Sequence, residues 1–298
     1  MPEPVFRSGF CCFVGRPNAG KSTLTNALVG TKIAITSDKP QTTRRAIRGV
    51  VARPAGQLIL VDTPGLHRPR TLLGERLNDV VRSTLAEVDV IGFCLPADQK
   101  IGPGDRFIVS ELTGLRAPVV AIVTKTDTVG RDAVAAQLMA VSELGAFADI
   151  VPVSAVAGDQ VELLADLLVA RLPEGPQLYP DDATTDEPED VRVAELIREA
   201  ALAGVRDELP HSIAVTVEEM HDHEGRPELL DIYATIHLER TSQKGIVIGA
   251  KGARLKTIGT QARQQIEALL GRRVHLDLHV AVESEWQRDP KKLDRLGF

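Results

Sequence analysis

The sequence predicts a doubly wound α/β sheet followed by a smaller α+β domain. Up to about residue 170, short β-branched apolar segments alternate with longer segments of helical periodicity. Strands this short and uniformly apolar are typical of a mainly parallel sheet that helices cover on both faces. Beyond residue 190 the predicted order becomes helix, strand, strand, helix, helix, strand, which indicates a second unit built on a different plan.

Each predicted strand of the first part is an apolar segment that leads into polar or glycine-containing residues. These strands are Phe10–Val14, Ile47–Val51, Leu58–Val61, Val88–Leu95, Pro118–Val123 and Ile150–Val153. In the second part, periodicity predicts helices at Val191–Glu208 and Gly252–Leu270 and strands at Ser212–Met220, Leu229–Glu239 and Arg273–Val282.

A helix-breaking sequence and a run of acids separate the two parts. The last helical pattern of the first part ends at Leu172–Pro176, and Asp181–Asp190 contains six acids and no base. A chain of 298 residues suits about two domains. We therefore predict a first domain at residues 1–173, an acidic linker at 174–190, and a second domain with a C-terminal tail at 191–298.

Composition predicts a cytoplasmic protein. The sequence has no apolar run near the roughly 20 residues that span a bilayer, and its first residues lack a secretory signal pattern. Cys11, Cys12 and Cys94 lie in apolar segments, which is typical of reduced thiols in a core. Peripheral contact with the inner face of the membrane stays open as an alternative.

The charge of the chain is unevenly distributed. A net charge of −6 argues against a protein that coats nucleic acid indiscriminately. From His237 to Arg273, however, eight Lys or Arg stand against two Glu. One basic region on an acidic chain indicates a defined anionic partner.

A phosphate-binding loop is predicted at Gly15–Ser22, which matches G-x-x-x-x-G-K-[ST] between a strand and a helix. Backbone amides of such a loop surround phosphate oxygens, its lysine adds a charge, and its hydroxyl binds Mg²⁺. The alternative, a glycine turn without a ligand, is disfavoured by this setting. The predicted nucleotide contacts here are Gly15, Asn18, Ala19, Gly20, Lys21, Ser22 and Thr23.

Asp62 and Gly65, in Asp-Thr-Pro-Gly after the strand Leu58–Val61, complete the predicted phosphate site. The carboxylate can hold the metal shell, and the glycine N–H can meet a γ-phosphate. These elements would suit an ATPase equally well.

Asp127 selects guanine over adenine in this interpretation. Its carboxylate, in Thr124-Lys125-Thr126-Asp127 after a predicted strand, can accept two hydrogen bonds from the ring N–H and amine of guanine. Adenine has no such donor pair and would leave the carboxylate unpaired. Ser154 and Ala155, after the next strand, are predicted to place a backbone N–H on the guanine carbonyl.

These four motifs, in this order, resemble those of the translation-factor-like GTPases. In that family the guanine motif is Asn-Lys-x-Asp, so Thr124 is a departure that is expected to weaken nucleotide binding. Leu66 stands where many GTPases have a water-orienting Gln, which implies slow turnover. Related GTPases with an Asn at the position of Asn18 bind K⁺ there in place of an arginine finger; the alternative is that Asn18 only stabilises the loop turn.

A polar segment at Thr36–Arg44 is predicted to be a switch loop that orders around Mg²⁺ and the γ-phosphate. Thr43 is the predicted metal ligand, with Thr42 as the alternative, beside Ser22 and Asp62. The catalytic set is Lys21, Asn18 and Thr43. A second switch is predicted from Gly65 through residue 70, where His67 fits a solvated loop histidine better than a base.

The second domain carries a Gly-x-x-Gly sequence, Gly249–Gly252, between a short apolar helix and a longer one. This arrangement, in basic surroundings and in the predicted α-β-β-α-α-β order, is typical of a bacterial-type KH domain that grips about four single-stranded nucleotides. The alternative is an ordinary glycine-containing helix–turn–helix connection. Val247 is expected in the apolar floor under the bases, and the predicted RNA contacts are Lys244, Gly245, Ile246, Ile248, Gly249, Ala250, Lys251, Gly252 and Arg254.

A GTPase followed by a KH domain resembles the Era family of bacterial ribosome-assembly GTPases over nearly the whole chain, including Pro40–Arg44 and Glu208–Val215. The resemblance implies a monomer that binds GTP or GDP with Mg²⁺ and grips the 3′ end of small-subunit rRNA during 30S maturation. Ala250 departs from the second basic residue common in this loop. The alternatives are a membrane-associated signalling or cell-cycle GTPase that uses the KH domain for docking, and an RNA-modifying GTPase.

Overall fold

The computed structural model describes residues 5–37, 39, 42–66, 69, 71–205 and 209–298. Contacts between residues divide the chain into two compact units. The first consists of residues up to 36, 43–69 and 76–186, and the second of residues 37–42, 70–75 and 187–298.

The first unit is built on a six-stranded sheet with the order β2-β3-β1-β4-β5-β6. Its strands are β1 (Arg7–Val14), β2 (Ile47–Arg53), β3 (Gly56–Asp62), β4 (Val90–Pro96), β5 (Val119–Thr124) and β6 (Asp149–Pro152). Strand β2 is antiparallel to β3, and all other neighbours are parallel. The predicted doubly wound, mainly parallel sheet is confirmed.

Helices cover both faces of this sheet because its strands are apolar on both sides. The helices are α1 (Lys21–Val29), α2 (Leu72–Glu87), α3 (Pro103–Leu112), α4 (Arg131–Ser142) and α5 (Val161–Val169). Along β1, Cys11 and Phe13 pack into one hydrophobic cluster while Cys12 and Val14 pack into another. The three cysteines are buried and form no disulfide. Burial raises the pKa of the Cys12 and Cys94 thiols to about 12, so these two stay protonated core groups.

The segment 174–186, expected as part of a linker, packs along the sheet of the first unit; we call it the strap. The side chain of Gln57 on β3 accepts from the Leu178 and Tyr179 N–H groups at 2.9 and 2.8 Å and donates to the Tyr179 carbonyl at 2.8 Å. Further along, the Val50 N–H on β2 donates to the Thr184 carbonyl at 3.0 Å. The chain therefore leaves the first unit only after residue 186.

The second unit contains a three-stranded sheet with the order β7-β8-β9, in which β7 and β8 are antiparallel and β8 and β9 are parallel. Its elements are α6 (Glu189–Leu202), β7 (Ala214–His223), β8 (Arg226–Leu238), α7 (Thr241–Ile248), α8 (Ala253–Leu270), β9 (Arg273–Val282) and α9 (Pro290–Arg295). The predicted α-β-β-α-α-β order is confirmed, with α9 added in the tail.

Trp286 anchors the C-terminal tail of the second unit. Its side chain is fully buried, its indole N–H donates to the Ser212 carbonyl at 3.3 Å, and its ring stacks on Phe298 with centroids 5.6 Å apart. Burial of an aromatic ring with its N–H satisfied favours one fixed position of the tail.

His221, Asp222 and His223 are the last residues of β7. His223 Nδ1 lies 2.8 Å from the Asp231 carboxylate, and Asp222 pairs with Arg272 at 2.7 Å. Within the described parts of the chain, no group of three or more His, Cys, Asp or Glu side chains is arranged to hold a metal ion.

Among the helices that the structure describes, none has both the length and the apolar character needed to cross a membrane.

Replacing Gln57 by Ala is expected to release the strap. Three hydrogen bonds to the strap backbone are lost, so we expect the free energy of unfolding to fall by about 2 kcal/mol and cleavage between residues 174 and 186 to accelerate. Denaturant unfolding and limited proteolysis measure these effects. The control is Gln177→Ala, which removes exposed strap-internal bonds to Tyr179 and Asp181 and should cost under about 0.5 kcal/mol. Equal losses in both variants would contradict an anchoring role for Gln57.

Candidate functional site

The phosphate-binding loop, residues 15–22, joins β1 to the N-terminus of α1. Glycine is required at its first position, since a Cβ on Gly15 would lie 2.7 Å from the Cys94 carbonyl oxygen. Gly20 (φ 90°) and Asn18 (φ 63°) adopt the left-handed conformation, which glycine and asparagine tolerate best. The loop is therefore fixed in shape by its residue types before any ligand binds.

Lys21 is held inside this loop by main-chain carbonyls. Its ammonium donates to the carbonyls of Gly15 and Arg16 at 3.4 and 3.3 Å, and only 6% of the residue is exposed. Burial lowers the pKa of Lys21, and the charge of Asp62 partly opposes that effect. An anion placed in the loop would favour the charged form of the lysine, as expected for the predicted phosphate site.

Ser22, Thr43 and Asp62 converge beside the loop. Asp62 Oδ2 accepts from Ser22 Oγ at 2.7 Å and from Thr43 Oγ1 at 3.1 Å, and the two hydroxyl oxygens are 2.9 Å apart. Asp62 Oδ1 is buried and has no hydrogen-bond partner among the described residues. Burial raises the pKa of Asp62, and the hydrogen bonds from Ser22 and Thr43 and the charge of Lys21 partly oppose that effect. Two hydroxyls and a carboxylate are the hard oxygen donors that suit Mg²⁺.

Thr42, the alternative metal ligand, points elsewhere. Its hydroxyl donates to the Lys39 carbonyl at 2.7 Å, whereas Thr43 reaches Asp62. The geometry thus favours Thr43 as the switch ligand.

Gly65 lies against the phosphate loop, and a Cβ there would be 2.9 Å from the Pro17 nitrogen. The next residue, Leu66, is buried in a hydrophobic cluster with Val61 and Val81, so it cannot reach a water at the phosphate. His67 lies outside the described residues.

A cavity of about 280 Å³ next to the loop is lined by residues of three predicted motifs. Ser154 Oγ donates to Asp127 Oδ1 at 2.6 Å and thereby orients the carboxylate that is predicted to bind guanine. Ala155 lines the cavity, as do Thr124, Lys125 and Gly20. Asp98 and Val156 line it too. Asp98 comes from a loop outside the motifs and carried no sequence signal, whereas Val156 directly follows the Ser154-Ala155 motif.

Thr124 connects the end of β5 to the phosphate loop. Its buried hydroxyl donates to the Ala19 carbonyl of the phosphate loop at 2.7 Å. The shorter side chain therefore still ties the end of β5 to the loop. We call this hydrogen bond the brace; it is present although Thr124 replaces the usual asparagine.

In the second unit, Gly249–Gly252 forms the GxxG turn between α7 and α8. Gly249, Lys251 and Gly252 all have positive φ angles, and a Cβ on Gly249 would lie 2.8 Å from the Arg254 Cβ. Ala250 and Lys251 are exposed, Lys244 is half-buried, and the space beyond Gly245 is open. A sugar-phosphate backbone can therefore approach the main chain here.

The apolar residues of α7 divide between surface and core. Ile246 is 53% exposed and Ile248 half-buried, whereas Val247 is fully buried. Our expectation that Val247 contacts bases was therefore wrong, because its position on the helix faces the core. Arg254 donates to the Ala203 carbonyl at 2.8 Å, which commits part of its guanidinium to the end of α6.

A cavity of about 580 Å³ between α8 and β9 adjoins this turn through Gly252; we call it the basic groove. Leu255, Leu276 and Leu278 give it an apolar floor. Its charged lining consists of Arg226, Lys256, Arg263, Arg273, Glu228 and Glu267. Our predicted RNA contacts omitted these cations, although the basic region His237–Arg273 contains three of them.

Two known protein families match separate parts of the chain. A family described as a 50S ribosome-binding GTPase matches residues 10–125, and a KH-domain family matches residues 208–287. GTPase Era of Streptomyces coelicolor is 69% identical over 99% of this chain and 96% of its own length, and that of a Nocardioides species is 66% identical over 100% and 98%.

The chain belongs to the Era family of GTPases.

Solved Era structures share the fold. An Era protein crystallised with MgGDPNP and nucleotides 1506–1542 of 16S ribosomal RNA has a TM-score of 0.94 and 38% identity, covering 98% of this chain and 99% of its own. An Aquifex aeolicus Era variant bound to GDP and AlF4⁻ has a TM-score of 0.92 and 37% identity with the same coverage.

Thr124→Val is expected to weaken GDP and GTP-analogue binding equally, by about tenfold. The variant keeps the shape of the side chain but leaves the buried Ala19 carbonyl without its donor, a loss of about 1–3 kcal/mol. Thr124→Ser retains the hydroxyl and should bind within about threefold of the natural protein. Titration with fluorescent nucleotide measures both. Unchanged affinity of the valine variant would show that the brace does not support the nucleotide site.

Proposed function

We propose that this protein is a GTP-hydrolysing switch that binds the 3′ end of small-subunit rRNA through its KH domain and assists maturation of the 30S subunit. The observation that carries the proposal is the occurrence, on one chain, of the candidate phosphate and guanine site and a GxxG turn beside a basic groove. The RNA bound by a relative of the same architecture supports the choice of RNA.

Lys21 and the loop amides would bind the β- and γ-phosphates, and Ser22, Thr43 and Asp62 would hold Mg²⁺. When bound, the ion neutralises charge that develops on the phosphate oxygens. Thr43 belongs to the loop that precedes β2, so its hydroxyl would tie this loop to the triphosphate state. Asp127, oriented by Ser154, would select guanine.

Hydrolysis by the isolated protein would be slow. The buried Leu66 offers no polar atom to orient the attacking water, so help must come from another group. Asn18 is exposed at the rim of the phosphate loop. It is the candidate ligand for a K⁺ ion, whose positive charge would stabilise the negative charge that develops during hydrolysis.

Exchange of Na⁺ for K⁺ tests this role of Asn18. At equal ionic strength, GTP hydrolysis should be about tenfold faster in KCl. Asn18→Gly keeps the left-handed conformation without the side-chain oxygen and should abolish the difference, whereas Asn18→Asp should retain a cation preference. If Asn18→Gly responds to K⁺ like the natural protein, the residue only stabilises the turn.

RNA would enter over the GxxG turn and extend along the basic groove. Glycines at 245, 249 and 252 leave the main chain accessible, Lys251 adds positive charge, and the exposed Ile246 offers an apolar surface to a base. Few aromatic side chains are present in the chain, so the grip would rely on backbone approach and charge rather than on stacking.

The GTP and RNA sites are proposed to favour the same state of a monomeric, cytoplasmic protein. Linkage then requires that RNA strengthens GTP binding by the factor with which GTP strengthens RNA binding. Equal RNA affinity in the presence of GDP and of a GTP analogue would contradict the switch.

Binding of an oligonucleotide that copies the 16S rRNA 3′ end, compared with a scrambled one, tests the RNA proposal. Lys251→Glu should weaken selective binding about tenfold. It should also reduce the slope of log affinity against log salt concentration by the equivalent of about one to two phosphate contacts. Lys291→Glu, an equal charge change on the exposed face of α9, should leave selectivity intact. Equal binding of both oligonucleotides would point to protein or membrane partners instead, which vesicle flotation would then separate.

A further inference from the structure

The side chain of Arg16, the second residue of the phosphate loop, binds a buried carboxylate on α3. Its Nε donates to Asp105 Oδ1 at 2.8 Å, with 27% of the arginine side chain and 1% of the aspartate side chain exposed. A carboxylate this deeply buried is stabilised by a paired cation, and a charge-assisted bond of this length is among the stronger polar contacts of a protein. Arg16 is thus fixed in direction.

Asp105 is itself held by the first turn of α3. Its second oxygen, Oδ2, accepts from the Gly102 N–H at 2.8 Å, so one carboxylate both caps the helix and binds Arg16. The stem of Arg16 lies on the helix backbone, since a Cβ on Gly104 would be 2.9 Å from the Arg16 Cδ. Charge and close packing therefore both tie the phosphate loop to α3.

The main chain of Arg16 carries parts of the nucleotide site. Its carbonyl accepts from the Lys21 ammonium at 3.3 Å and from the Ala19 N–H at 3.2 Å. The next residue, Pro17, is the surface on which Gly65 rests. A shift of Arg16 and Pro17 would therefore move the support of Gly65, the glycine that is expected to meet the γ-phosphate.

We propose that Arg16 is a positioning residue for GTP hydrolysis and acts through its ion pair with Asp105. The pair keeps the segment from Arg16 to Pro17 in place while charge develops on the γ-phosphate. GDP lacks that phosphate, so the pair matters more for the triphosphate and its hydrolysis than for GDP binding. This inference rests on the proposed GTP hydrolysis and adds a residue outside the contacts predicted from the motifs.

The test compares kcat, KM and GDP affinity in three variants. Arg16→Ala and Asp105→Asn each remove the ion pair, and the double variant Arg16→Met with Asp105→Asn removes both charges while keeping a cap acceptor at 105. Because the double variant leaves no unpaired buried charge, it keeps the test decisive if a single variant fails to fold. The matched control is Arg82→Ala, which removes another arginine–carboxylate bond to α3, with Glu111 at 3.0 Å, away from the phosphate loop.

We expect the variants that lack the Arg16–Asp105 pair to lose about tenfold or more in kcat, with GDP affinity within about threefold. The losses in the single variants and the double variant should be nearly equal, because all three break one interaction. Arg82→Ala should hydrolyse GTP at the natural rate.

Provided that the natural protein hydrolyses GTP, either of two results would overturn the inference. One is a kcat within about twofold in the folded double variant, and the other is a parallel loss of GDP affinity and kcat, which indicates general disorder of the loop. A natural protein without GTP hydrolysis would instead overturn the proposed function and this inference together.

Discussion

The buried carboxylate of Asp62 is the constraint on which the first unit depends. It lies at the end of β3, where its Oδ2 accepts from the hydroxyls of Ser22 and Thr43, while Oδ1 has no partner among the described residues. A buried charge in this condition is costly unless a cation joins it. The same oxygens would therefore favour a bound cation, and the Thr43 hydroxyl brings the loop that precedes β2 to the same point.

Most of the fold of the first unit could be predicted because its strands carry their own signal. Uniformly apolar segments that end in glycine or polar residues define a parallel sheet and also place Asp62, Thr124 and Ser154 at one edge. The pairing of Thr43 rather than Thr42 with Asp62 could only be proposed, since two adjacent threonines differ in direction but not in chemistry. Similarly, the brace from Thr124 to Ala19 depends on a distance across the fold that a local motif does not encode.

The second unit shows the limits of local patterns more clearly. The GxxG turn was visible in the sequence because its glycines have a backbone function, yet Val247 was assigned to the surface although it is buried. Three consecutive apolar residues on a helix cannot all face one side, and the sequence does not reveal which one turns inward. The cations of the basic groove come from β8, α8 and β9, which are brought together only by the parallel pairing of β8 and β9.

The strap occupies part of one edge of the sheet in the first unit. Strand β2 is an edge strand, and an edge strand with free N–H and C=O groups can pair with a strand of another molecule. The Val50 N–H is bonded to Thr184, and the Arg48 carbonyl accepts from the Thr185 hydroxyl at 2.6 Å, so part of this edge is already occupied. A GTPase fragment that ended at residue 173 would uncover these groups and invite aggregation through β2. An independently soluble fragment should therefore extend to Asp186.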